Sequence, residues 1–289
     1  GTDTDRTTFG QVGVQPDWEA AASGIVHTLV VADDGTLWSA GQNVYGELGL
    51  GDLFQRNLFT RVGSDADWAT VDAGNYQSVA LKTDGSLYAW GNNSDGTLGL
   101  GDNTDRLTPT RVGIDTDWKM ASMGGYSTLA IKQDGTLWAW GDNPYGQLGI
   151  GDTSEPWQPT QVGTDADWAT VACAGYHTLA IKHDGTLWAW GYGIYGALGL
   201  GSLDTSGRLS PVQVGSDTDW LAVSGGETHS VALKTDGSLW AWGGNNEGQL
   251  GDGSGNDRKK PVQVRSGENF IAVAAGGNHT CGITAAGKA

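Results

Sequence analysis

The feature that most constrains this chain is a segment of about 50 residues that recurs along its whole length. The motif Asp-Gly-Thr/Ser-Leu-Trp/Tyr begins at five positions separated by 50, 50, 50 and 52 residues: Asp34, Asp84, Asp134, Asp184 and Asp236. Self-similarity at such a period is typical of solenoids and propellers, in which every repeat is one supersecondary unit. The sequence therefore predicts a single repeat domain over residues 1–289.

Other markers predict the number of repeats. The first half of the repeat carries an Asp-Trp pair and occurs six times, with its aromatic residue at Trp18, Trp68, Trp118, Trp168, Trp220 and Phe270. The second half carries Leu-Gly-x-Gly and occurs five times, while residues 1–13 align with the tail of a repeat at 101–113. The predicted units are 14–63, 64–113, 114–163, 164–215, 216–265, and an incomplete sixth that is split between 266–289 and 1–13.

One repeat shows why each unit should form a small antiparallel sheet. Residues 128–132 alternate apolar and polar side chains, which is the period of a half-buried strand. The Asp-Gly pair at 134–135 predicts a two-residue hairpin turn, and residues 137–140 return as the partner strand. Because successive side chains in a strand point to opposite faces, Trp138 and Trp140 should lie on one face and the intervening Leu and Ala positions on the other.

The last segment of the repeat, residues 159–162, predicts an outer strand, because proline removes one ladder hydrogen bond and is tolerated at an edge. A sheet of three or four short strands with two apolar faces cannot bury both alone, but radial stacking against neighbouring copies buries both. We therefore predict an all-β fold, a β-propeller with six counted repeats. The split sixth copy favours a ring over a linear solenoid, and a seventh blade is possible in the parent protein.

The complete pattern allows a resemblance to be stated. Gly-x-x-His-Thr-Leu-Ala-Ile-Lys-x-Asp-Gly-Thr-Leu-Trp-Ala-Trp-Gly-x-Asn-x-Tyr-Gly-Gln-Leu-Gly-x-Gly resembles the repeat of the regulator of chromosome condensation family, over essentially the whole chain. The resemblance implies a propeller, usually of seven blades. The family's founding member exchanges nucleotide on a small GTPase, and this role depends on a basic terminal tail and on a hairpin inserted between two repeats. The sequence shows neither feature, since no basic tail occurs and the only insertion is two residues within 202–208.

Charge narrows the classes of partner. The formal net charge is −17, so the surface should repel phosphate backbones and anionic membranes while remaining compatible with a basic protein. We therefore expect no nucleic-acid partner. No apolar run approaches the ~20 residues of a membrane span, so no membrane insertion is expected. The two cysteines, Cys173 and Cys281, are interpreted as separate buried thiols.

Candidate catalytic and metal-binding residues have simpler explanations. Four histidines occupy one repeated position, where Gln77 and Ser127 also occur, which favours a structural hydrogen bond to a neighbouring turn over a metal centre; they are His27, His177, His229 and His279. The Asp-Gly pairs lack the spacing of a calcium loop. No Gly-x-Ser-x-Gly nucleophile motif occurs. We expect no catalytic residues, no metal and no cofactor.

Candidate contact residues lie where the repeat does not dictate the side chain. Tyrosines and asparagines on loops that follow the Trp-Gly strand ends have the composition of a protein- or glycan-binding surface, although such a tyrosine can also pack over its own glycine turn. A second group follows Leu-Gly-x-Gly, and Trp157 in it lies outside the regular Trp positions. The predicted contact residues are Tyr45, Tyr145, Tyr195, Phe54, Trp157 and Arg208.

These observations predict a non-enzymatic module that presents one propeller face to a protein partner. Two alternatives stay open: a glycan-binding propeller that stacks sugars on aromatic residues, and a guanine-nucleotide exchange factor for a small GTPase. The uniform linkers Val-Gly-x-Asp-x-Asp-Trp resemble those of secreted or surface-borne bacterial members of the family, which implies a location outside the cell.

Overall fold

The computed structural model describes residues 17–287, and these form five four-stranded antiparallel sheets and one two-stranded sheet. We call the sheets blades 1–6 in chain order. The strands in chain order are Trp18–Ser23 (β1), His27–Ala32 (β2), Leu37–Gly41 (β3), Arg56–Arg61 (β4), Trp68–Ala73 (β5), Gln77–Lys82 (β6), Leu87–Gly91 (β7), Arg106–Arg111 (β8), Trp118–Met123 (β9), Ser127–Lys132 (β10), Leu137–Gly141 (β11), Thr160–Gln161 (β12), Trp168–Cys173 (β13), His177–Lys182 (β14), Leu187–Gly193 (β15), Asp204–Gln213 (β16), Trp220–Gly225 (β17), His229–Lys234 (β18), Leu239–Gly243 (β19), Arg258–Val264 (β20), Phe270–Ala275 (β21) and Thr280–Thr284 (β22).

The blades have one topology. In each complete blade the strands pair in chain order, and the first strands of consecutive blades pack against each other. The prediction of an all-β propeller is confirmed, with about six blades seen, and the segment 159–162 does supply the outer strand β12 of its blade. In blade 6 the described strands are β21 and β22 alone. The predicted contribution of residues 1–13 to that blade lies outside the described residues.

The hairpin between the second and third strands differs from the prediction. In blade 3 the amide of Lys132 donates to the carbonyl of Thr136, and the amide of Gly135 donates to the carbonyl of Lys132. The turn therefore contains three residues, 133–135, and the prediction of a two-residue turn is wrong. Gly135 takes the left-handed conformation at φ +81°, and Asp134 Oδ1 accepts a bond from the amide of Thr136. Both features belong to a type I turn followed by a bulge.

The predicted faces of the third strand are confirmed. Leu137 and Ala139 of blade 3 pack with residues of blade 4, whereas Trp138 and Trp140 pack with residues of blade 2. Trp140 is fully buried, and its indole Nε1 donates to the carbonyl of Thr97 in blade 2 over 2.8 Å. The same indole-to-carbonyl bond recurs across four blade boundaries, made by Trp90, Trp140, Trp190 and Trp242.

A lysine at the end of the second strand ties each inner blade to its linker. Lys132 lies 2.6 Å from Asp115 and 3.1 Å from Asp117, and its ammonium stands 4.9 Å from the ring centroids of Trp118 and Trp138. Burial opposes the charged form, but the hydrogen bonds that the ammonium donates to the two carboxylates outweigh it and raise the pKa of Lys132. The cluster recurs around Lys82, Lys182 and Lys234, which explains the repeated Asp-x-Asp-Trp linker.

The repeated histidine bridges two blades. His177 Nε2 lies 2.7 Å from Ser230 Oγ of the next blade, and that hydroxyl donates to the carbonyl of Ala197 in the histidine's own blade. Because the hydroxyl proton is used in this way, the imidazole Nε2–H must be the donor to Ser230. His27 and His229 make the equivalent bonds to Ser78 and Thr280. A structural role is thus confirmed, although the direct partner is a strand hydroxyl and not the predicted turn.

The apolar core is divided among the blade boundaries. Five clusters of buried side chains occur, one for each pair of consecutive blades from 1–2 to 5–6. Within residues 17–287 no such cluster joins blade 6 to blade 1. Cys173 is buried between blades 3 and 4, as predicted, but Cys281 is exposed, so the prediction of two buried thiols is wrong for Cys281. Its strand lacks a described neighbour blade.

The buried histidines predict a pH dependence of stability. Burial lowers the pKa of His177 to about 3, below its ordinary value of 6.5, so the folded protein keeps this imidazole neutral while the unfolded chain protonates it. Stability from this group is therefore present above pH 6.5 and is lost as the pH falls. Between pH 7 and pH 5 the loss should be about 2 kcal/mol of the free energy of unfolding.

The variant His177→Gln should remove that share of the pH dependence, because glutamine has no titratable group. Blade 2 already carries a glutamine, Gln77, at the position that His177 occupies in blade 4. Denaturant unfolding at pH 7 and pH 5 measures it. His183→Gln, at an exposed turn position, is the matched control and should leave the difference between the two pH values intact. An equal pH dependence in wild type and His177→Gln would contradict the assignment.

Candidate binding face

Two sets of connections emerge from one end of the propeller. The turns between the first and second strands and the long loops between the third and fourth strands leave the sheets on the same side, because all four strands are antiparallel. We call this side the loop end. Five of the predicted contact residues lie in its long loops, and the sixth, Arg208, lies in β16 directly after such a loop.

Two of the three predicted tyrosines, Tyr45 and Tyr145, contact tyrosines of the following blade, whereas Tyr195 is 38 % exposed and belongs to none of these ring pairs. Tyr145 stacks on Tyr192 with ring centroids 4.4 Å apart and an interplanar angle of 25°, and it meets Tyr176 edge-on at 5.8 Å. Tyr45 meets Tyr76 edge-on at 5.3 Å. These contacts give the tyrosines a bridging role between blades, while each ring keeps a partly exposed surface.

Buried amides hold the loops in place. The side-chain amide of Asn143 donates to the carbonyls of Asp152 and Ser154 and accepts from the amide of Leu148, so it pins both arms of the blade 3 loop. The backbone amide of Tyr145 donates to Gln147 Oε1. Because the repeat supplies these bonds, the loop presents its side chains on a rigid frame.

Trp157 combines a packing contact with exposure. Its ring lies against Gly96 of blade 2, and its carbonyl accepts a 2.8 Å bond from the amide of Gly101 in the same blade. Leu107 and Leu209 hold the corresponding contacts with Gly46 and Gly146 at two other boundaries. The indole remains 41 % exposed, which is more surface than packing on the preceding blade requires.

The two remaining predicted residues differ in how far the repeat accounts for them. Arg208 forms an ion pair with Asp204, an arrangement that other blades repeat with Arg56–Asp52 and Arg106–Asp102. Phe54 is 73 % exposed, although its backbone is held by Asp52 and Arg56. Of the two, Phe54 has the larger surface that the fold does not use.

Sequence reasoning did not single out the apolar neighbours of Phe54 or the tyrosines that partner Tyr145. Val44 and Leu53, in the same loop as Phe54, are both exposed by more than half. Each looks unremarkable as a single residue in a variable loop. Val44 and Leu53 could have been found by comparing the repeats, because both are apolar residues in blade 1 where blade 3 has Pro144 and Thr153.

One carboxyl group at the loop end is electrostatically unusual. Burial, followed by the nearby charges of Glu155 and Asp95, raises the pKa of Asp142 to about 6, although a 3.1 Å bond from Gln147 Nε2 works in the other direction. Asp142 therefore changes charge close to neutral pH. Among residues 17–287 no group of three or more His, Cys, Asp or Glu side chains is arranged to hold a metal ion.

Comparison with protein-family models finds the regulator of chromosome condensation (RCC1) repeat at residues 84–131, 134–181, 184–233 and 236–283, and a second model of the same repeat at 68–97 and 220–249. A search of curated protein sequences finds no match to the chain. Within the described residues no helix is long and apolar enough to cross a bilayer.

Solved structures with the same fold include three informative examples. Human WBSCR16 is similar with a TM-score of 0.83 at 26 % identity, covering 92 % of this chain and 72 % of that protein. Yeast RCC1 (Prp20), in its complex with Kap60, gives 0.80 at 23 % identity, covering 91 % and 67 %. Prp20p from Saccharomyces cerevisiae, described with its binding properties to Gsp1p and histones, gives 0.60 at 19 % identity, covering 91 % and 81 %. Since the family model matches well over half of the sequence and the blades carry its repeat, this chain belongs to the RCC1 repeat family.

Proposed function

We propose that this chain is a non-enzymatic protein-binding module and that the loop end is its contact surface. The observation that carries the proposal is the exposure of large apolar and aromatic side chains on rigid loops: Val44, Tyr45, Leu53, Phe54, Trp157, Tyr176 and Tyr195. Aromatic side chains held on a rigid scaffold provide contact area at low entropic cost, and they are enriched in protein interfaces.

Charge favours a basic partner. The chain carries a net charge of −17, and Asp95 and Glu155 lie close enough to Asp142 at the loop end to help raise the pKa of its carboxyl group. Complementary charge raises the rate of encounter and selects among partners, while the aromatic surface provides the area to be buried. Fold neighbours also support a binding role, since yeast RCC1 is bound to Kap60 in one structure and Prp20p is described as binding Gsp1p and histones.

The proposal is tested with a displayed library of random peptides selected against the immobilised chain. We expect enrichment of sequences that combine Lys or Arg with apolar residues. The double variant Phe54→Ala, Trp157→Ala should weaken the enriched peptides at least tenfold, because each truncation removes an exposed anchor at roughly the scale of an interface hot spot, ~1–2 kcal/mol.

Ile114→Ala is the matched control. Ile114 is 87 % exposed, but it lies in a linker at the opposite end of the propeller, so its removal should leave peptide affinity unchanged. A library that yields no binder, or binders that lose as much affinity with Ile114→Ala as with the loop-end variant, would contradict the proposal.

Asp142 gives the proposed binding a pH dependence. Its carboxyl is neutral below a pKa of about 6 and charged above it, so affinity for a basic peptide should rise as the pH increases from 5 to 7.5. Asp142→Asn should flatten this rise and leave the affinity near the low-pH value. Titration of an enriched peptide by calorimetry at several pH values measures it, and an identical rise in wild type and Asp142→Asn would contradict the role of this carboxyl.

We also propose that the chain acts outside the cell and derives from a secreted bacterial member of the family. The support is the resemblance of its linkers, such as residues 112–118 and 162–168, to those of secreted members. Fractionation of a culture of the source organism with an antibody against this chain tests the proposal. Detection in the medium or at the cell surface supports it, and detection confined to the cell interior contradicts it.

A further inference from the structure

Three tyrosine rings meet at the loop end where blades 3 and 4 adjoin. Tyr145 comes from the long loop of blade 3, Tyr176 from the turn between β13 and β14, and Tyr192 from the end of β15. Tyr145 stacks on Tyr192 at 4.4 Å and meets Tyr176 edge-on at 5.8 Å, and Tyr176 is 39 % exposed. We call these three residues the tyrosine cluster, and it offers an aromatic surface to a ligand.

The repeat accounts for only two of these rings. At the boundary of blades 1 and 2, Tyr45 and Tyr76 form the same edge-on pair at 5.3 Å. Asn92 stands in blade 2 at the position that Tyr192 occupies in blade 4. Because that boundary is packed without a third ring, the stacked ring of Tyr192 is an addition that the fold does not require.

A carboxylate lies beside the tyrosine cluster. Asp142 Oδ2 accepts a 3.1 Å bond from Gln147 Nε2, and Gln147 Oε1 accepts a 3.0 Å bond from the backbone amide of Tyr145. The glutamine therefore ties Asp142 to the loop that carries the first ring. Burial, followed by the charge of Glu227, raises the pKa of Tyr176, and the charge of Asp142 adds to this rise, so both carboxylates lie near the Tyr176 hydroxyl group.

The charges at this corner favour a cationic ligand. Among residues 17–287 no ion pair includes Asp142 or Glu227. Burial and the negative charges of Glu155 and Asp95 raise the pKa of Asp142 to about 6, so its charged form is held in unfavourable surroundings. A cation beside this carboxylate would stabilise the charged form, and it would do so next to the aromatic surface.

The combination of an aromatic ring and a carboxylate favours a guanidinium over an ammonium group. A guanidinium is planar and weakly hydrated, so it stacks on an aromatic face, and its fork of N–H donors matches a carboxylate. An ammonium group is a compact and strongly hydrated charge that cannot make both contacts as well. The exposed ring of Tyr176 and the nearby carboxylate of Asp142 are the two contacts that one arginine side chain can make at once.

We propose that the tyrosine cluster and Asp142 form a subsite for one arginine side chain of the protein partner. The guanidinium stacks on the exposed ring of Tyr176 and donates to the carboxylate of Asp142, and Glu227 adds a second negative charge close by. The inference rests on the proposed function and specifies the chemistry of one partner residue. It also gives a role to positions 142 and 192, at which this boundary departs from that of blades 1 and 2.

Binding of arginine that is blocked at both ends, as N-acetyl-arginine N-methylamide, tests the subsite without a selected partner. The tyrosine rings of the whole chain are isotopically labelled, and NMR spectra are recorded at neutral pH while the probe is added. We expect shifts of the signals of Tyr145, Tyr176 and Tyr192. The equivalent lysine probe should bind about threefold more weakly. The citrulline probe, which has the shape of arginine without its charge, should cause no shift at the same concentration.

The other repeats supply variants that the fold already accepts. Tyr176→Val introduces the residue that blade 1 has at this position, and Asp142→Asn introduces the residue of blade 2. Each should weaken binding of the arginine probe about fivefold, because one removes the stacking surface and the other the charged acceptor. Tyr76→Val is the matched control: it removes the same ring at the boundary of blades 1 and 2, where Gln42 replaces the carboxylate, so the affinity for arginine should not change.

Equal shifts with the arginine and citrulline probes, or equal affinity for the arginine and lysine probes, would overturn the subsite. So would an equal loss of affinity in Tyr176→Val and Tyr76→Val, or the absence of any shift in the tyrosine cluster. Free arginine distinguishes a side chain of a polypeptide from a small metabolite, and tighter binding of free arginine than of the blocked probe would also overturn the proposal.

The subsite and the proposed function can fail separately. Selected peptides that depend on Phe54 and Trp157, together with an arginine probe that leaves the tyrosine cluster unchanged, would uphold the proposed function and overturn the subsite alone. Binding of the arginine probe at the cluster, together with a library that yields no binder, would uphold the arginine site and contradict the proposed function.

Discussion

The structure depends on one requirement, that a short antiparallel sheet with apolar side chains on both faces must be covered on both. Each inner blade is covered by its neighbours through the same contacts: Leu and Ala positions of one third strand pack against the first-strand Trp of the next blade, and a buried indole donates to a carbonyl of the preceding one. Burial of apolar area supplies the driving force, and the indole bond fixes the angle between sheets because it must reach one particular oxygen. At the boundary of blades 4 and 5, where Trp242 makes this indole bond to Ala197, the histidine bridge from His177 through Ser230 adds a second polar link.

The same requirement distinguishes the residues that maintain the fold from those that are free to contact a partner. Residues at the blade boundaries are dictated by the neighbouring copy, whereas the loops between third and fourth strands are held by buried asparagines such as Asn143 and are free to vary at their tips. Exposed side chains such as Phe54 are not needed for this frame, which is why they are the candidates for partner contact.

Much of the fold could be predicted from the sequence because the repeat shows each position five or six times. The alternation in 137–140 gave the correct faces for Trp138 and Trp140. The turn at Asp134–Gly135 was predicted too short, because an Asp-Gly pair fits both a two-residue turn and the end of a three-residue turn with a bulge. The cluster around Lys132 was missed, since its carboxylates come from the linker 17 residues earlier and only the folded blade brings them together.

The candidate site was less accessible to sequence reasoning. Trp157 was recognised as irregular, but its contact with Gly96 of the preceding blade needs the blade-to-blade geometry, as does the stacking of Tyr145 on Tyr192. The exposure of Cys281 could not be predicted either. Cysteine is usually buried, and Cys281 occupies the position of the repeat at which Leu179 is buried in blade 4. Only the lack of a described neighbouring blade distinguishes the two residues. Periodicity thus predicts what a residue does within a complete repeat, and it fails where the surroundings of a repeat change.

Hydrogen–deuterium exchange measured by mass spectrometry tests most directly the claim that each blade is stabilised by its neighbours. The second strands β6, β10, β14 and β18 are flanked on both edges and covered on both faces, so their amides should exchange at least a hundredfold more slowly than those of β22, which has one described partner strand and an exposed face. Protection of β22 equal to that of β18 would show that a blade is stable without its neighbour, and would contradict the account.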